Sequence, residues 1–153
     1  MTQAIYAPEA VETSVLVVGI ASETYGIPAT VVREVVRFTA FTPVPGAAAS
    51  LPGVMSRRGA ILPVADLRAV LGLVMSAPTR TTRFVLCMID QIDVALLVDR
   101  VEDIVDLAGI VPDAPPATLD VAQLRLLRGV ARYAERYLTL LDPVALVGVL
   151  REA

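Results

Sequence analysis

At 153 residues, 56% of them hydrophobic, the chain is long enough to fold as one domain around its own core. It contains no histidine and no lysine, so all 13 basic residues are arginine. This excludes the usual general base near neutral pH, imidazole metal ligands, a histidine phosphoacceptor, a P-loop lysine and a Schiff-base nucleophile. A net charge of −3 and a pI near 4.9 argue against nucleic acid as a partner.

Residues 1–13 lack periodicity and read as a loose arm. Val15–Ile20 is a β-branched run that Ser22-Glu23-Thr24 turns into Tyr25-Gly26-Ile27, which predicts a hairpin. Beyond Pro28, the valines at 31, 32, 35 and 36 predict a short helical turn followed by a strand. Phe41–Pro45 is extended, because residues before proline avoid the helical region, and 47–52 is a connection. Val54–Met55 and Ala60–Ala65 read as strands around an Arg57-Arg58-Gly59 turn, where Gly59 supplies a positive φ. Asp66 suits the N-cap of a short helix, Leu67–Leu71, and Gly72 the left-handed position that stops it.

Residues 75–82 form a polar loop. Arg83–Ile89 is a strand, Asp90–Asp93 turns the chain, and Val94–Val98 returns it. Residues 101–107 alternate imperfectly between apolar and acidic, and 113–120, with Pro115-Pro116, is a stiff surface loop. Leu126–Arg132 and Tyr137–Leu141 predict a late hairpin. Asp142 caps a final helix with Pro143 at its first position, where a missing N–H costs nothing. Residues 144–150 of that helix are apolar on every side, so it is buried or docked. Short strands, frequent turns and little helix indicate a barrel or sandwich. A shared order of strand, turn, strand and short helix in the two halves suggests related lobes.

The mean hydropathy of +0.68 raises the membrane question. The longest charge-free run, 38–56, carries three prolines and two glycines, so no spanning helix is expected. Glu9 and Glu12 stand where a signal peptide would be basic. Large apolar docking surfaces would account for the hydropathy as well as a Val/Leu/Ala core does.

Arg57, Arg58 and Asp66 are charged groups among apolar neighbours. Arg58 is expected to clamp the fold by forking onto a carboxylate such as Asp66 or Asp99. Arg57 is the better candidate for facing an acidic patch on a partner. Glu34, among valines, is either a surface charge or a residue that sets partner register. Asp99, Glu102, Asp103 and Asp106 read as a solvated strand edge, since their spacing matches no calcium loop. Cys87 lies in an apolar run and reads as a buried, inert thiol. No catalytic residue, cofactor or metal site is expected. A small-molecule-binding barrel or a carboxylate enzyme stands as the remote alternative.

Residues 53–67, Gly-Val-Met-Ser-Arg-Arg-Gly-Ala-Ile-Leu-Pro-Val-Ala-Asp-Leu, resemble the Gly-Val-x-x-x-Arg-Gly-x-x-x-Pro-Val-x-Asp-Leu stretch of CheW-like domains, the adaptors of bacterial chemosensory arrays. Tyr25-Gly26-Ile27 with Val32, Glu34 and Val35, then Thr42–Pro45, Val98–Val101 and Leu140–Asp142, resemble further family segments in the same order. The likeness spans residues 14–150, leaving 151–153 as a tail. It implies a mainly β fold: two SH3-like five-stranded barrels over a shared core, with short helices and a C-terminal helix. It also implies a cytoplasmic, non-enzymatic adaptor joining a chemoreceptor tip to a histidine kinase regulatory domain, at membrane-bound receptor arrays but without membrane insertion. An adaptor of a pilus-motility or other sensory pathway is the alternative. By the resemblance, Val32, Glu34 and Val35 are candidates for a partner face, and Gly53 and Arg58 either contact a partner or shape the surface that does. Arg57 and Val98 are further partner-binding candidates, and Gly59, Asp66 and Asp142 are read as structural. Arg58 occupies the motif arginine, and Arg57 is this chain's own departure. Ala134-Glu135 replaces the family's common Asp-Gly turn.

Overall fold

Four hairpins organise the chain. A computed structural model describes residues 10–11, 14–116 and 118–152. β1 (Ser14–Ile20) turns at Ala21 into β2 (Glu23–Pro28). β5 (Gly53–Arg57) turns through Arg58 and Gly59 into β6 (Ala60–Asp66). β7 (Arg83–Ile89) and β8 (Ile92–Val98) are joined by Asp90 and Gln91 alone, so Ile92 and Asp93 belong to the strand and not to the turn. β10 (Leu127–Tyr133) and β11 (Arg136–Leu141) are joined by Ala134 and Glu135. The last three turns hold both residues at positive φ, between 48° and 81°, the geometry whose twist matches paired strands. Ala134 and Glu135 adopt it without the Asp-Gly that favours it.

The remaining strands cross between sheets. After β2, a single 3-10 turn (Ala29–Val31) leads into β3 (Val32–Arg37), which pairs with β7, and β4 (Thr42–Pro43) then lies on β5. After β8, Asp99 leads straight into β9 (Arg100–Asp106), which pairs with β1. One sheet therefore has the order β10-β11-β2-β1-β9, and the other β3-β7-β8-β6-β5-β4. We call them the terminal and central lobes. Their topologies correspond strand for strand: β11 lies parallel to β2 as β6 lies parallel to β8, and every other pairing is antiparallel. A bulge interrupts β3 at Arg33 and β9 at Glu102, at matching positions. Two lobes of corresponding topology are present, as the order of elements in the two halves suggests, but each half gives its hairpin to one lobe and its later strands to the other. The central lobe also carries a sixth strand, the two-residue β4, beyond the expected five.

Three clusters fill the interior. The largest joins the lobes, bringing Leu16, Val18 and Ile20 of β1 against Val85, Cys87, Leu96 and Val98, with helix residues Leu67, Leu71, Leu146, Val147 and Leu150 closing it. Val15, Val17, Val105, Ala131, Leu138 and Leu140 fill the terminal lobe. Met55, Leu62, Val64, Phe84 and Leu97 fill the central one, where Phe38, Phe41 and Phe84 make ring contacts. Burial of this apolar surface, at about 25 cal/mol per Å², is the main stabilising term.

Helices form where a strand ends in aspartate. Asp66 caps α1 (Leu67–Leu71) through the Arg68 N–H, and Gly72 ends it at φ 70°. Asp142 caps α3 (Pro143–Arg151) through the N–H groups of Val144 and Ala145. α3 is not covered all round: Leu146, Val147 and Leu150 are buried, whereas Val144 and Gly148 face solvent. The expected tail begins inside this helix, since Arg151 ends α3 and Glu152 pairs with Arg125 at 3.3 Å. A third helix, α2 (Val121–Leu124), follows a full capping box between Asp120 and Gln123.

The loose-arm expectation fails at Val11. Its side chain is buried in the terminal lobe, and its backbone bonds Ile110 and Gly109. Residues 1–9, 12 and 13 lie outside the described residues, as do Ala117 within the 113–120 loop and Ala153 of the expected tail.

Candidate docking site on the central lobe

β3 and β5 are the two strands where the central barrel closes, and no backbone ladder joins them. Side chains close the seam instead. Arg57, at the end of β5, forks onto Glu34 of β3: its Nη2 donates to Oε1, and its Nε to Oε2 at 3.4 Å. The Arg58 Nη2 stands 3.6 Å from the same Oε1. The hydrogen bond from Arg57 holds the Glu34 carboxyl below its usual range, with both guanidinium charges adding to it. A fork of this kind is specific in direction as well as attractive. The open part of the seam is a cleft of about 440 Å³, lined by Val35, Val36, Met55 and Arg57 among others.

The sequence-derived candidates separate here. Val35 is 40% exposed on the outer face of β3, while Val32 is half-buried against the shared core. Gly53 is enclosed, and a Cβ there would come within 2.2 Å of the Thr42 carbonyl oxygen. The glycine thus lets β4 lie on β5 and shapes the rim from below. Val98 is 1% exposed in the shared core, so its side chain has no access to a partner. It belongs to Val94–Val98, a run buried on both faces because Val94, Leu96 and Val98 pack into the shared core and Ala95 and Leu97 into the central lobe.

Arg58 is not the clamp. Its side chain is 77% exposed on the β5–β6 turn, and its ion pair is with Glu34 and not with Asp66 or Asp99. The clamp exists, but Arg68 makes it. The Arg68 Nε donates to Asp66 Oδ1 at 3.0 Å and its Nη2 to Oδ2 at 2.9 Å. Its Nη1 donates to the Ser76 carbonyl at 2.7 Å and lies 3.7 Å from Asp99 Oδ1. Asp99 in turn accepts from the Ala21 N–H, so this buried set ties α1 to the crossing into β9. Paired carboxylates raise the Arg68 pKa, and the hydrogen bond to Asp66 is the main cause. Gly59 serves its turn at φ 81°, and Asp66 and Asp142 hold the expected cap positions. The Cys87 thiol is pushed up to about 12 by burial, in keeping with an inert side chain.

The acidic run forms the terminal lobe's counterpart to the Glu34 seam. Arg136 donates to Glu102 at 3.0 Å and the Tyr133 hydroxyl to Asp103 at 3.2 Å, closing β9 against β11 and β10. Among the described residues, no group of three or more ligating side chains has metal-site geometry, and no helix is long and apolar enough to cross a membrane.

A family model described as the CheW-like domain matches residues 14–150. The probable chemotaxis protein CheW of Rhizobium etli is 31% identical over 115 residues, covering 75% of this chain and 74% of that protein. The chemotaxis protein CheW of Rhizobium meliloti is 39% identical over 77 residues, half of each chain. In the crystal structure of the scaffolding protein TtCheW from Thermoanaerobacter tengcongensis, 89% of the chain superposes on 86% of this one with a TM-score of 0.76 at 23% identity, which shows the shared fold.

Proposed function

The chain belongs to the CheW-like domain family, and on that premise we propose that it is a non-enzymatic adaptor that couples a chemoreceptor's cytoplasmic tip to the regulatory domain of a histidine kinase. The observation that carries this reading is the seam of the central lobe. Val35 stands exposed above an open cleft, flanked by Arg33 and Arg37 on β3 and by Arg57 and Arg58 across it. Apolar burial at Val35 supplies affinity, and the charges fix register. Two arginines share one carboxylate, so one positive charge stays free to meet an acid on the partner. Arg58, the more exposed of the two, is that charge, and Arg57 tunes it by holding Glu34. The adaptor works in the cytoplasm beside membrane-bound receptors and turns over no substrate.

Pull-down of the full chain with a receptor-tip fragment and a kinase regulatory domain tests this reading. Binding to both is expected, and binding to neither would overturn it. Arg58→Ala should weaken assembly about tenfold, the scale of one charged interfacial contact, while leaving Tm unchanged because the side chain is exposed. A fall in Tm with assembly intact would return Arg58 to a structural role.

A further inference from the structure

A second concavity lies away from the β3–β5 seam. It has a volume of about 590 Å³, between the end of α1, loop residues Asp113, Ala114, Pro116 and Leu119, and the outer faces of β2, β10 and β11. That volume lies within the range of small-ligand sites. Its walls are mainly apolar and include Leu71, Leu73, Leu119 and Leu127. Gln123, which also lines it, is committed elsewhere: its side chain donates to the Leu71 carbonyl and completes the Asp120 capping box.

Glu23, Tyr25 and Asp113 are among its uncommitted polar side chains. Tyr25 is 7% exposed, yet its hydroxyl has no hydrogen-bond partner among the described residues. No fully enclosed side-chain polar atom among those residues lacks a partner, so this hydroxyl opens onto the cavity that Tyr25 lines. Burial and the nearby Glu23 charge push its pKa up to about 12, which keeps it protonated. Glu23 and Asp113 line the same cavity, and neither forms an ion pair or a side-chain hydrogen bond among the described residues. No arginine lines it among the described residues.

A cavity with apolar walls, two unpaired carboxylates, an unpartnered hydroxyl and tyrosine rings at 25 and 137 selects charge and shape together. An anion would meet two carboxylates with no arginine in the lining to offset them. A hard divalent cation needs more oxygen ligands than two carboxylates supply. An ammonium head group suits the carboxylates and the Tyr25 hydroxyl oxygen at once, and an apolar body suits the leucines; the Tyr137 ring is already covered by the Arg132 guanidinium, 5.8 Å from its centroid. We propose that this cavity is a binding site for a small organic ammonium ion with an apolar body.

Calorimetric titration of the full chain with 2-phenylethylammonium, the neutral 2-phenylethanol and the anionic 3-phenylpropanoate tests the proposal. Saturable binding of the ammonium ion is expected, about tenfold tighter than the alcohol, with no binding of the anion. Glu23→Gln together with Asp113→Asn should weaken the ammonium ion about tenfold, and Tyr25→Phe by a smaller factor. Glu23 and Asp113 are exposed, so the paired variant should keep its fold. Three results would each overturn the proposal: no saturation up to about 10 mM, equal binding of the anion, or full affinity in the paired carboxylate variant.

Discussion

The two lobes end their parallel strands in the same way. Asp66 leaves β6 at φ −95°, ψ 101°, and Asp142 leaves β11 at φ −95°, ψ 105°. Each carboxylate caps the helix that follows. Around these matching backbones the electrostatics diverge. Asp66 is buried and forked onto Arg68, which reaches Ser76 and Asp99. Asp142 is half-buried, has no arginine partner among the described residues, and relies on Pro143 and the packing of Leu146, Val147 and Leu150. The seams diverge as well: Glu34 meets two arginines from one turn, whereas Glu102 meets Arg136 and Arg100 beside a Tyr133–Asp103 bond. A duplicated scaffold thus fixes where a carboxylate sits, and its neighbours decide whether it locks the fold or meets solvent.

Breaking the joins should show the contrast most strongly. Arg68→Ala would leave the Asp66 carboxylate buried without its countercharge, a loss of about 3–5 kcal/mol. Thermal denaturation should show a fall in Tm on the order of 10 °C for a chain of this size. Asp142→Ala removes a solvent-reached cap and should cost about 1 kcal/mol. Equal losses at the two sites would mean that Arg68 adds nothing to its cap.

The hairpin turns of the two lobes differ at a smaller scale. Gly59 relieves one position of the β5–β6 turn, whereas Glu135, its counterpart in β10–β11, sits at φ 62° with a side chain. Glu135→Gly should therefore stabilise the terminal lobe by a few tenths of a kcal/mol to about 1, measured by urea denaturation.

Acid should separate the seams least. The folded pKa values of Glu34 and Glu102 are both lowered, chiefly by hydrogen bonds from Arg57 and Arg136. Their pairings are therefore complete above the ordinary value of 4.5 and are lost as pH falls through the lowered folded values. Carboxyl carbon shifts followed by NMR should show both residues titrating below that value. An unshifted Glu34 would mean that the Arg57 fork does not persist in solution.

Much of the fold is legible in the residues. β-branched runs mark the strands, and the two aspartates after apolar runs mark both helix starts, because caps are local chemistry. Asp120 and Gln123 carry a readable capping box for α2, but the paired prolines just before it favour a loop. Arg68 has no such signal, because an arginine two residues beyond an N-cap reads as surface charge. Only the fold brings Ser76 and Asp99 over it. Arg58 is misassigned for the same reason, since neighbours in sequence say nothing about which arginine a strand turns outward. The Tyr25 cavity has no local signal either, because its walls come from five separate elements.

The exchange of strands between lobes reaches beyond static architecture. Neither lobe can be completed from one half of the chain: β9 must return to β1 across most of the sequence, and β3 must wait for β7. Such distant pairings slow folding and bind the lobes into one cooperative unit. A break in the loop between α1 and β7 should yield two fragments, each unfolded alone, that restore a single native species when mixed. The gene could then be divided at that loop, with each product useless until it meets the other.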